Sequence, residues 1–146
     1  MPVTTKRGCQ VTELAGEPRV LCHRDYHSRN LMMRGEQLFI IDFQDARMGP
    51  DTYDLASLVR DSYVDLTEAE EASHVAYFRE RRAQRPGAAP ESADDFQRRF
   101  ELMSLQRGLK ALGTFGFQAS VKGNSSYLAA VPRTLARVGR TLRGAP

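Results

Sequence analysis

The sequence predicts a mainly α-helical domain built around a small β-hairpin layer, an α+β fold. Short apolar runs of strand-like composition occur only between residues 19 and 43. From about residue 50 onward, apolar residues recur three and four positions apart, as they do in amphipathic helices. With 146 residues, 41% of them hydrophobic, the chain is long enough to bury one core without disulfides or metals as staples.

The first 18 residues predict a loosely ordered lead-in. They are polar and include Gly8, Gly16 and Pro18, and they lack the apolar segment that a secretory signal needs. The predicted organisation is therefore a lead-in over residues 1–18, followed by one folded unit over residues 19–146.

Three apolar runs predict the strands of the β-layer. They are RVLCH, NLMMR and QLFIIDF, which begin at Arg19, Asn30 and Gln37. Gly35 lies between the second run and the third, where a hairpin turn often needs a positive φ angle. We expect the layer to present its loops on one side. The residues of this layer that we expect in the core are Met32, Met33, Phe39 and Ile40.

Two helices are expected after the β-layer. The first opens in residues 50–54, with Asp51 placed to cap it. The second starts at Thr67, which can form a capping box with Glu70, and runs to about Arg85.

Proline, glycine and small polar residues then predict a connection over residues 86–93. A third helix begins at about Asp94 and is expected to end at the glycines of LGTFGF, residues 112–117. A last helix is expected from Tyr127 or Pro132 to Leu142.

Charge and cysteine content favour a reduced, cytoplasmic protein. Cys9 and Cys22 form no CxxC motif and have no metal-site spacing, and no run of 18 apolar residues predicts a membrane span. The net charge is +3. Arginines cluster in residues 79–85 and 133–143, and we interpret both clusters as solvated helix faces rather than a nucleic-acid surface.

The segment from His23 to Asp45 carries the residues suited to chemistry. Asn30 follows Asp25 by five positions in a polar loop, and Asp42 ends an apolar run that would deliver it to the same side. An amide oxygen and a carboxylate are hard ligands that suit Mg²⁺ better than zinc. With Asp25 free to act on a substrate hydroxyl, the pattern is that of a phosphoryl-transfer site using Mg²⁺ and ATP.

The sequences of three segments resemble those of the aminoglycoside phosphotransferase family, whose sites are built on the protein-kinase-like fold. The segments are HRDYHSRN from His23, IIDFQDA from Ile40 and GPDTYDLASLVRD from Gly49. Together with MSLQRGLKALGTFGFQ and VPRTL downstream, they are similar to bacterial kinases that phosphorylate the anomeric hydroxyl of N-acetylmuramate and N-acetylglucosamine, amino sugars of cell-wall recycling. The resemblance covers roughly residues 19–143.

The resemblance implies roles for individual residues. Asp25 matches the catalytic base, while Asn30 and Asp42 match the residues that hold Mg²⁺ against the ATP phosphates. His23 matches a structural loop histidine, and Asp54 matches a helix aspartate that holds the backbone of the catalytic loop.

Other residues of the segment stay open. Asp45 would either assist the metal or cap the following turn. Arg24 falls where many members of the broader family carry glycine and where protein kinases carry arginine. For His27 and Arg29, a phosphate or substrate contact and a solvent-exposed position are both compatible with the sequence.

The resemblance also implies that this chain corresponds to the C-terminal lobe of a kinase-like fold. No glycine-rich phosphate loop and no VAIK-like strand lysine precede His23, so the N-terminal ATP lobe is expected to be absent. Activity would then need a partner lobe or an upstream region. An apolar surface left open by that absence would favour homodimerisation or pairing with such a lobe.

Three alternatives accompany the kinase hypothesis. The chain could be a catalytically silent binding module that keeps the kinase-like fold. It could bind nucleic acid through its arginine clusters. Finally, His23, Asp25 and His27 could form an HxDxH metal cluster for hydrolysis.

Overall fold

Residues 14–144 are described by a computed structural model of the protein, and helices dominate them. The helices are α1 Tyr53–Val59, α2 Glu68–Ala83, α3 Ala93–Ser120 and α4 Val131–Gly144, with short 3-10 helices at Ser28–Asn30 and Ser125–Ala130. The strands are β1 Arg19–Cys22, β2 Leu31–Arg34, β3 Gln37–Ile40 and β4 Arg47–Pro50. The prediction of a mainly helical fold with a small β-layer is confirmed.

The strands form two separate antiparallel pairs. β2 and β3 form a hairpin in which Leu31 faces Ile40, and Gly35 makes the predicted turn with a φ of 61°. β1 pairs with β4, which the sequence did not predict because glycine and proline are poor strand formers. A Cβ on Gly49 would lie 3.1 Å from the sulfur of Cys22, so this close approach favours glycine.

The core lies between α1, α2 and α3. Its buried members are Leu55, Ala56, Val59, Val75, Phe96, Phe100 and Met103. The expectation that the hairpin contributes to the core is wrong. Met32 and Phe39 on one face are 54% and 45% exposed, and Met33 and Leu38 on the other are 65% and 52% exposed. Both faces of the hairpin therefore lack a cover within the described residues.

Two helix boundaries differ from the prediction. Asp51 does not cap α1, because its buried carboxylate pairs instead with Arg82 and Arg99. α3 does not end at its glycines but continues to Ser120. A glycine costs a helix interior only about 1 kcal/mol, and the buried ring of Phe115, stacked on Tyr127 at 5.8 Å, holds this end of the helix.

The other predicted helix boundaries agree more closely with the structure. Thr67 caps α2 in the predicted capping box with Glu70. The connection before α3 is non-helical through Ser92, which caps that helix. Tyr127 lies in the 3-10 helix that leads into α4, so α4 itself begins at Val131.

The predicted lead-in lies outside the described residues as far as residue 13. From Leu14 onward it is held against the helical core rather than loose. The buried carboxylate of Glu17 accepts hydrogen bonds from Thr52 Oγ1 at 2.7 Å and from Arg99 Nη1 at 2.9 Å. Burial raises the pKa of Glu17, although the bonds from Thr52 and Arg99 oppose that effect.

The arginine clusters are not simply solvated faces. Arg82 pairs with Asp51 and Glu91, while Arg137 is buried and donates to the carbonyl oxygens of Asp61 and Val64. Burial lowers the pKa of Arg137. Arg133 and Arg140 pair with Asp65 and Glu68. Among residues 14–144, no helix combines the length and apolarity that a membrane crossing demands.

Candidate active site

The loop from His23 to Asn30 is held by an aspartate in the first turn of α1. Asp54 accepts hydrogen bonds from the backbone N–H groups of His23, at 2.6 Å, and of Arg24, at 2.9 Å. A carboxylate that accepts two backbone bonds fixes the start of the loop relative to the helical core. Contacts of this kind, from a helix aspartate to the backbone of the loop, are those that the resemblance implies for Asp54.

A second aspartate, which the sequence reasoning missed, holds the other end of the loop. Asp61 is buried, and its carboxylate accepts bonds from the backbone N–H groups of Ser28 at 2.7 Å and Tyr63 at 2.8 Å. The signal that could have found it is its spacing. It follows Asp54 by seven positions, just after α1 ends at Val59, so the two aspartates lie at opposite ends of this short helix.

Asn30 joins the loop to the segment after β3. Its side-chain nitrogen lies 2.8 Å from the carbonyl oxygen of Asp25 and 3.5 Å from Oδ2 of Asp42. Because a carbonyl oxygen only accepts, the atom facing Asp25 must be the amide nitrogen, which leaves the amide oxygen available as a ligand. Asn30 is also buried, so the loop and the packing around it restrict its side chain.

The backbone brings Asp42 to Asn30. The N–H of Ile41 donates to the carbonyl oxygen of Asn30 at 3.1 Å, and Nε2 of His23 lies 2.8 Å from the carbonyl oxygen of Ile41. His23 therefore ties the loop to the residue that precedes Asp42, as expected of a structural histidine. The Asp42 carboxylate itself is exposed.

Two non-glycine residues in the described part of the chain have a positive φ angle, and both lie in this site. They are Arg24, at 76°, and Asp42, at 67°. Left-handed conformations of non-glycine residues are uncommon and cluster at functional sites. The angle at Arg24 also gives a physical reason for a glycine at the matching position of other proteins, since glycine adopts it without strain.

The donor set fits a magnesium ion bound together with phosphates. One carboxylate and one amide oxygen supply two hard ligands, and Mg²⁺ in phosphoryl-transfer sites takes the rest of its coordination from phosphate oxygens and water. Within residues 14–144, no three His, Cys, Asp or Glu side chains are grouped to hold a metal ion. The HxDxH alternative is therefore not formed by His23, Asp25 and His27.

A cavity of about 370 Å³ opens beside Asp25, between the loop, α1, α3 and α4. Aromatic and hydroxyl side chains line it, including Tyr63, Phe115, Tyr127, Ser57, Thr114 and Thr134. Burial raises the pKa of Tyr63, which keeps its hydroxyl neutral at physiological pH. Asp25 also lines this cavity, and its backbone carbonyl oxygen accepts the hydrogen bond from Asn30.

Three neighbouring residues fall into different surroundings. His27 also lines the cavity, and its ring packs edge-on against Tyr63 at 5.5 Å. The guanidinium of Arg29 lies over the same tyrosine ring at 3.7 Å. Asp45 is exposed, and its nearest cation is Arg47 at 3.9 Å, so its geometry is that of a surface carboxylate.

Sequence comparison identifies the family. The profile of the phosphotransferase enzyme family, APH, matches residues 9–96, which include the whole loop, Asp42 and α1. The chain belongs to this phosphotransferase family.

Three relatives of this chain are named N-acetylmuramate/N-acetylglucosamine kinase. The protein of Neisseria meningitidis serogroup B is 37% identical over 130 residues, covering 89% of this chain and 39% of the relative. The Pseudomonas aeruginosa protein is 37% identical over 130 residues, with 88% and 38% covered. The Pseudomonas putida protein is 35% identical over 131 residues, with 89% and 38% covered. The chain therefore spans about two fifths of the length of the relatives it matches.

Proposed function

We propose that this phosphotransferase chain is the catalytic, C-terminal half of a kinase that uses ATP and Mg²⁺ to phosphorylate a hydroxyl of an amino sugar. The observation that carries the proposal is the amide nitrogen of Asn30, which donates to the carbonyl oxygen of Asp25 at 2.8 Å and lies 3.5 Å from Oδ2 of Asp42. Asn30 thereby joins Asp25, the proposed base beside the cavity, to Asp42, the second proposed metal ligand. The family supports the reaction class, and the names of the relatives support the acceptor.

In the proposed reaction, Asp25 orients the acceptor hydroxyl and takes its proton. The hydroxyl oxygen forms a bond to the γ-phosphorus of ATP as the bond from that phosphorus to the bridging oxygen of ADP breaks. Asn30 and Asp42 would hold Mg²⁺, which neutralises charge on the phosphate oxygens. Asp54 and Asp61 keep the loop in place, so that Asp25 loses little orientational freedom during the reaction.

The cavity supports a polyhydroxylated acceptor of modest size. Tyr63, Phe115 and Tyr127 provide aromatic surface for the apolar face of a sugar ring, and the surrounding hydroxyl groups can exchange hydrogen bonds with the sugar. Its volume of about 370 Å³ lies in the range of small-molecule sites.

We further propose that catalysis needs an ATP-binding lobe in addition to residues 19–146. The exposed apolar faces of the β2–β3 hairpin, next to Asp42, support such a contact because an isolated two-stranded hairpin is only marginally stable in water. The lobe would cover the hairpin and complete the nucleotide site. We also propose a cytoplasmic location, because ATP, the proposed donor, is available there.

Release of ADP tests this function. The chain, alone and mixed with an ATP lobe taken from a relative, is supplied with MgATP and with N-acetylmuramate, N-acetylglucosamine or an aminoglycoside. We expect turnover with an amino sugar that falls at least a hundredfold in Asp25→Asn, which keeps the shape but not the base. Glu80→Gln, which changes an exposed carboxylate of α2 away from the hairpin, serves as the matched control and should retain activity.

A catalytically silent binding module is the second candidate, favoured by the same uncovered hairpin. The two candidates differ in one result. Turnover that survives Asp25→Asn, or no turnover with any acceptor in the presence of the lobe, would exclude the kinase proposal. Stable binding of the lobe without any turnover would support the silent module.

A further inference from the structure

Two cations on α3 line the cavity, and neither has a carboxylate partner among the residues that the structure describes. Arg107 and Lys110 lie one turn apart and both line the cavity together with Asp25. Arg107 donates only to neutral groups: Ser57 Oγ at 2.8 Å, the hydroxyl of Tyr53 at 2.5 Å and the carbonyl oxygen of Arg24 at 3.3 Å. Lys110 is exposed, and no ion pair joins its ammonium group to an acid within residues 14–144.

The other charged groups of the cavity are already compensated. Arg60 makes a two-pronged bond to Glu101, at 2.6 and 2.7 Å, and lies 3.4 Å from Glu71. Arg137 donates to two backbone carbonyl oxygens and lies within 3.9 Å of Glu71. Asp61 is satisfied by two backbone N–H groups. The charges left for a ligand are therefore Asp25 on the loop and the two cations on α3.

We propose that the α3 wall is a carboxylate subsite and that Lys110 is its specificity-determining residue. The proposal rests on the proposed function. An acceptor would place its reacting hydroxyl at Asp25 and an acidic substituent at Lys110, with Arg107 adding positive potential from behind. Of the two sugars in the names of the relatives, N-acetylmuramate carries a lactyl carboxylate, and N-acetylglucosamine has a hydroxyl in its place.

Charge makes this subsite selective. A carboxylate forms an ion pair with Lys110, whereas the hydroxyl of a neutral sugar can only accept a hydrogen bond from it. An ammonium group of an aminoglycoside placed at the same position would face Lys110 and Arg107 and would be repelled there. The site therefore selects a sugar acid over a neutral or a cationic acceptor.

Calorimetry on the whole chain tests the subsite without requiring turnover. We expect N-acetylmuramate to bind about tenfold more tightly than N-acetylglucosamine, the ratio that one charge-assisted contact provides. Lys110→Met, which keeps most of the side-chain length, should remove this preference by weakening the binding of N-acetylmuramate more than that of N-acetylglucosamine. Lys110→Arg should restore the preference, and Lys122→Met, an exposed lysine outside the cavity lining, should keep it.

Two results separate the failure of the subsite from the failure of the proposed function. Equal affinity of the wild type for both sugars, or a preference that survives Lys110→Met, overturns the subsite while the sugar acceptor stands. If neither sugar binds, the amino-sugar proposal is overturned. A titration with lactate, followed by the backbone NMR signals of residues 107–111, then decides the subsite by itself: shifts that Lys110→Met abolishes support it, and no shifts overturn it.

Discussion

Phe39 in the β2–β3 hairpin is 45% exposed, whereas Phe96 in the helical core is 1% exposed. The two rings represent two regions with different sources of order. The helical region buries its apolar side chains between three helices, but the hairpin, which leads to Asp42, leaves both of its faces open. The loop from His23 to Asn30 lies between them and is anchored to the helical region by Asp54 and Asp61.

The difference teaches that the two halves of the candidate site are not equally preorganised. The loop that carries Asp25 is fixed on both sides of it, because the N–H groups of His23 and Arg24 donate to Asp54 and that of Ser28 donates to Asp61. Asp42 depends on a hairpin that gains little from burial, and its firmest links to the helical region pass through Asn30 and His23. We therefore expect the base to be in place before the metal ligands are.

The largest expected effect is the loss of a core ring. Phe96→Ala should lower the free energy of unfolding by about 3 to 5 kcal/mol, since it leaves a cavity in a close-packed region. Phe39→Ala, the matched change in the hairpin, should lower it by only about 0.5 kcal/mol. Urea unfolding of both variants measures the difference, and equal losses would show that the hairpin is covered in solution.

Removal of the loop anchor should have the next largest effect. Asp54→Ala leaves two backbone N–H groups without their acceptor and should cost about 1 to 3 kcal/mol. Asp45→Ala, at an exposed carboxylate, should change stability by no more than about 0.5 kcal/mol. If Asp54→Ala were as mild as Asp45→Ala in urea unfolding, the loop would not be held from α1.

The thiol of Cys22 can be used to test whether the β1–β4 pair stays closed, because it is buried against that pair. Burial, followed by the nearby charge of Asp54, raises the pKa of its thiol to about 11, from a usual value of 9.0. Because the folded pKa is raised, this group's contribution to stability is complete below pH 9.0 and is lost as the pH rises through about 11.

A Cys9→Ser variant isolates this signal. Thiolate absorbance in the native protein should rise with a midpoint near pH 11, and in urea the midpoint should fall to near pH 9.0. Iodoacetamide should label the native protein slowly at pH 8. A native midpoint near pH 9.0 would mean that β1 and β4 separate readily.

The smallest effect is expected at Arg24. Relief of its left-handed conformation is worth about 1 to 2 kcal/mol, but glycine loses about 0.5 to 1 kcal/mol more than other residues on folding. Arg24→Gly should therefore change stability by about 1 kcal/mol or less and should be more stable than Arg24→Ala. Thermal unfolding of the two variants measures this order, and the reverse order would contradict the positive φ angle.

Sequence patterns predicted the helical part of the fold well where local chemistry decides. The capping box of Thr67 and Glu70 and the turn at Gly35 depend on neighbouring residues, and both are present. The end of α3 and the role of Asp51 depend on distant partners, Tyr127 in one case and Arg82 with Arg99 in the other. No local sequence pattern predicts contacts with such distant partners.

The candidate site shows the same division. Asn30 and Asp42 were expected to meet because a strand would deliver one to the other, and they do. Asp61 could have been found from its position just past the end of the short helix that carries Asp54. Arg107 could not, because it reaches the carbonyl oxygen of Arg24 across 83 positions of the chain. The exposure of the hairpin was missed because an apolar strand predicts burial without naming what covers it.

Binding of a divalent ion at Asn30 and Asp42 is the most direct test of the central claim, since the proposed chemistry requires it. Mn²⁺ can replace Mg²⁺ as a paramagnetic probe in an NMR titration of the whole chain with ATP present. We predict selective broadening of the amide signals of Asn30, Ile41 and Asp42, and its loss in Asp42→Asn, which tolerates the same φ angle. Uniform broadening, or selective broadening that persists in Asp42→Asn, would contradict the account.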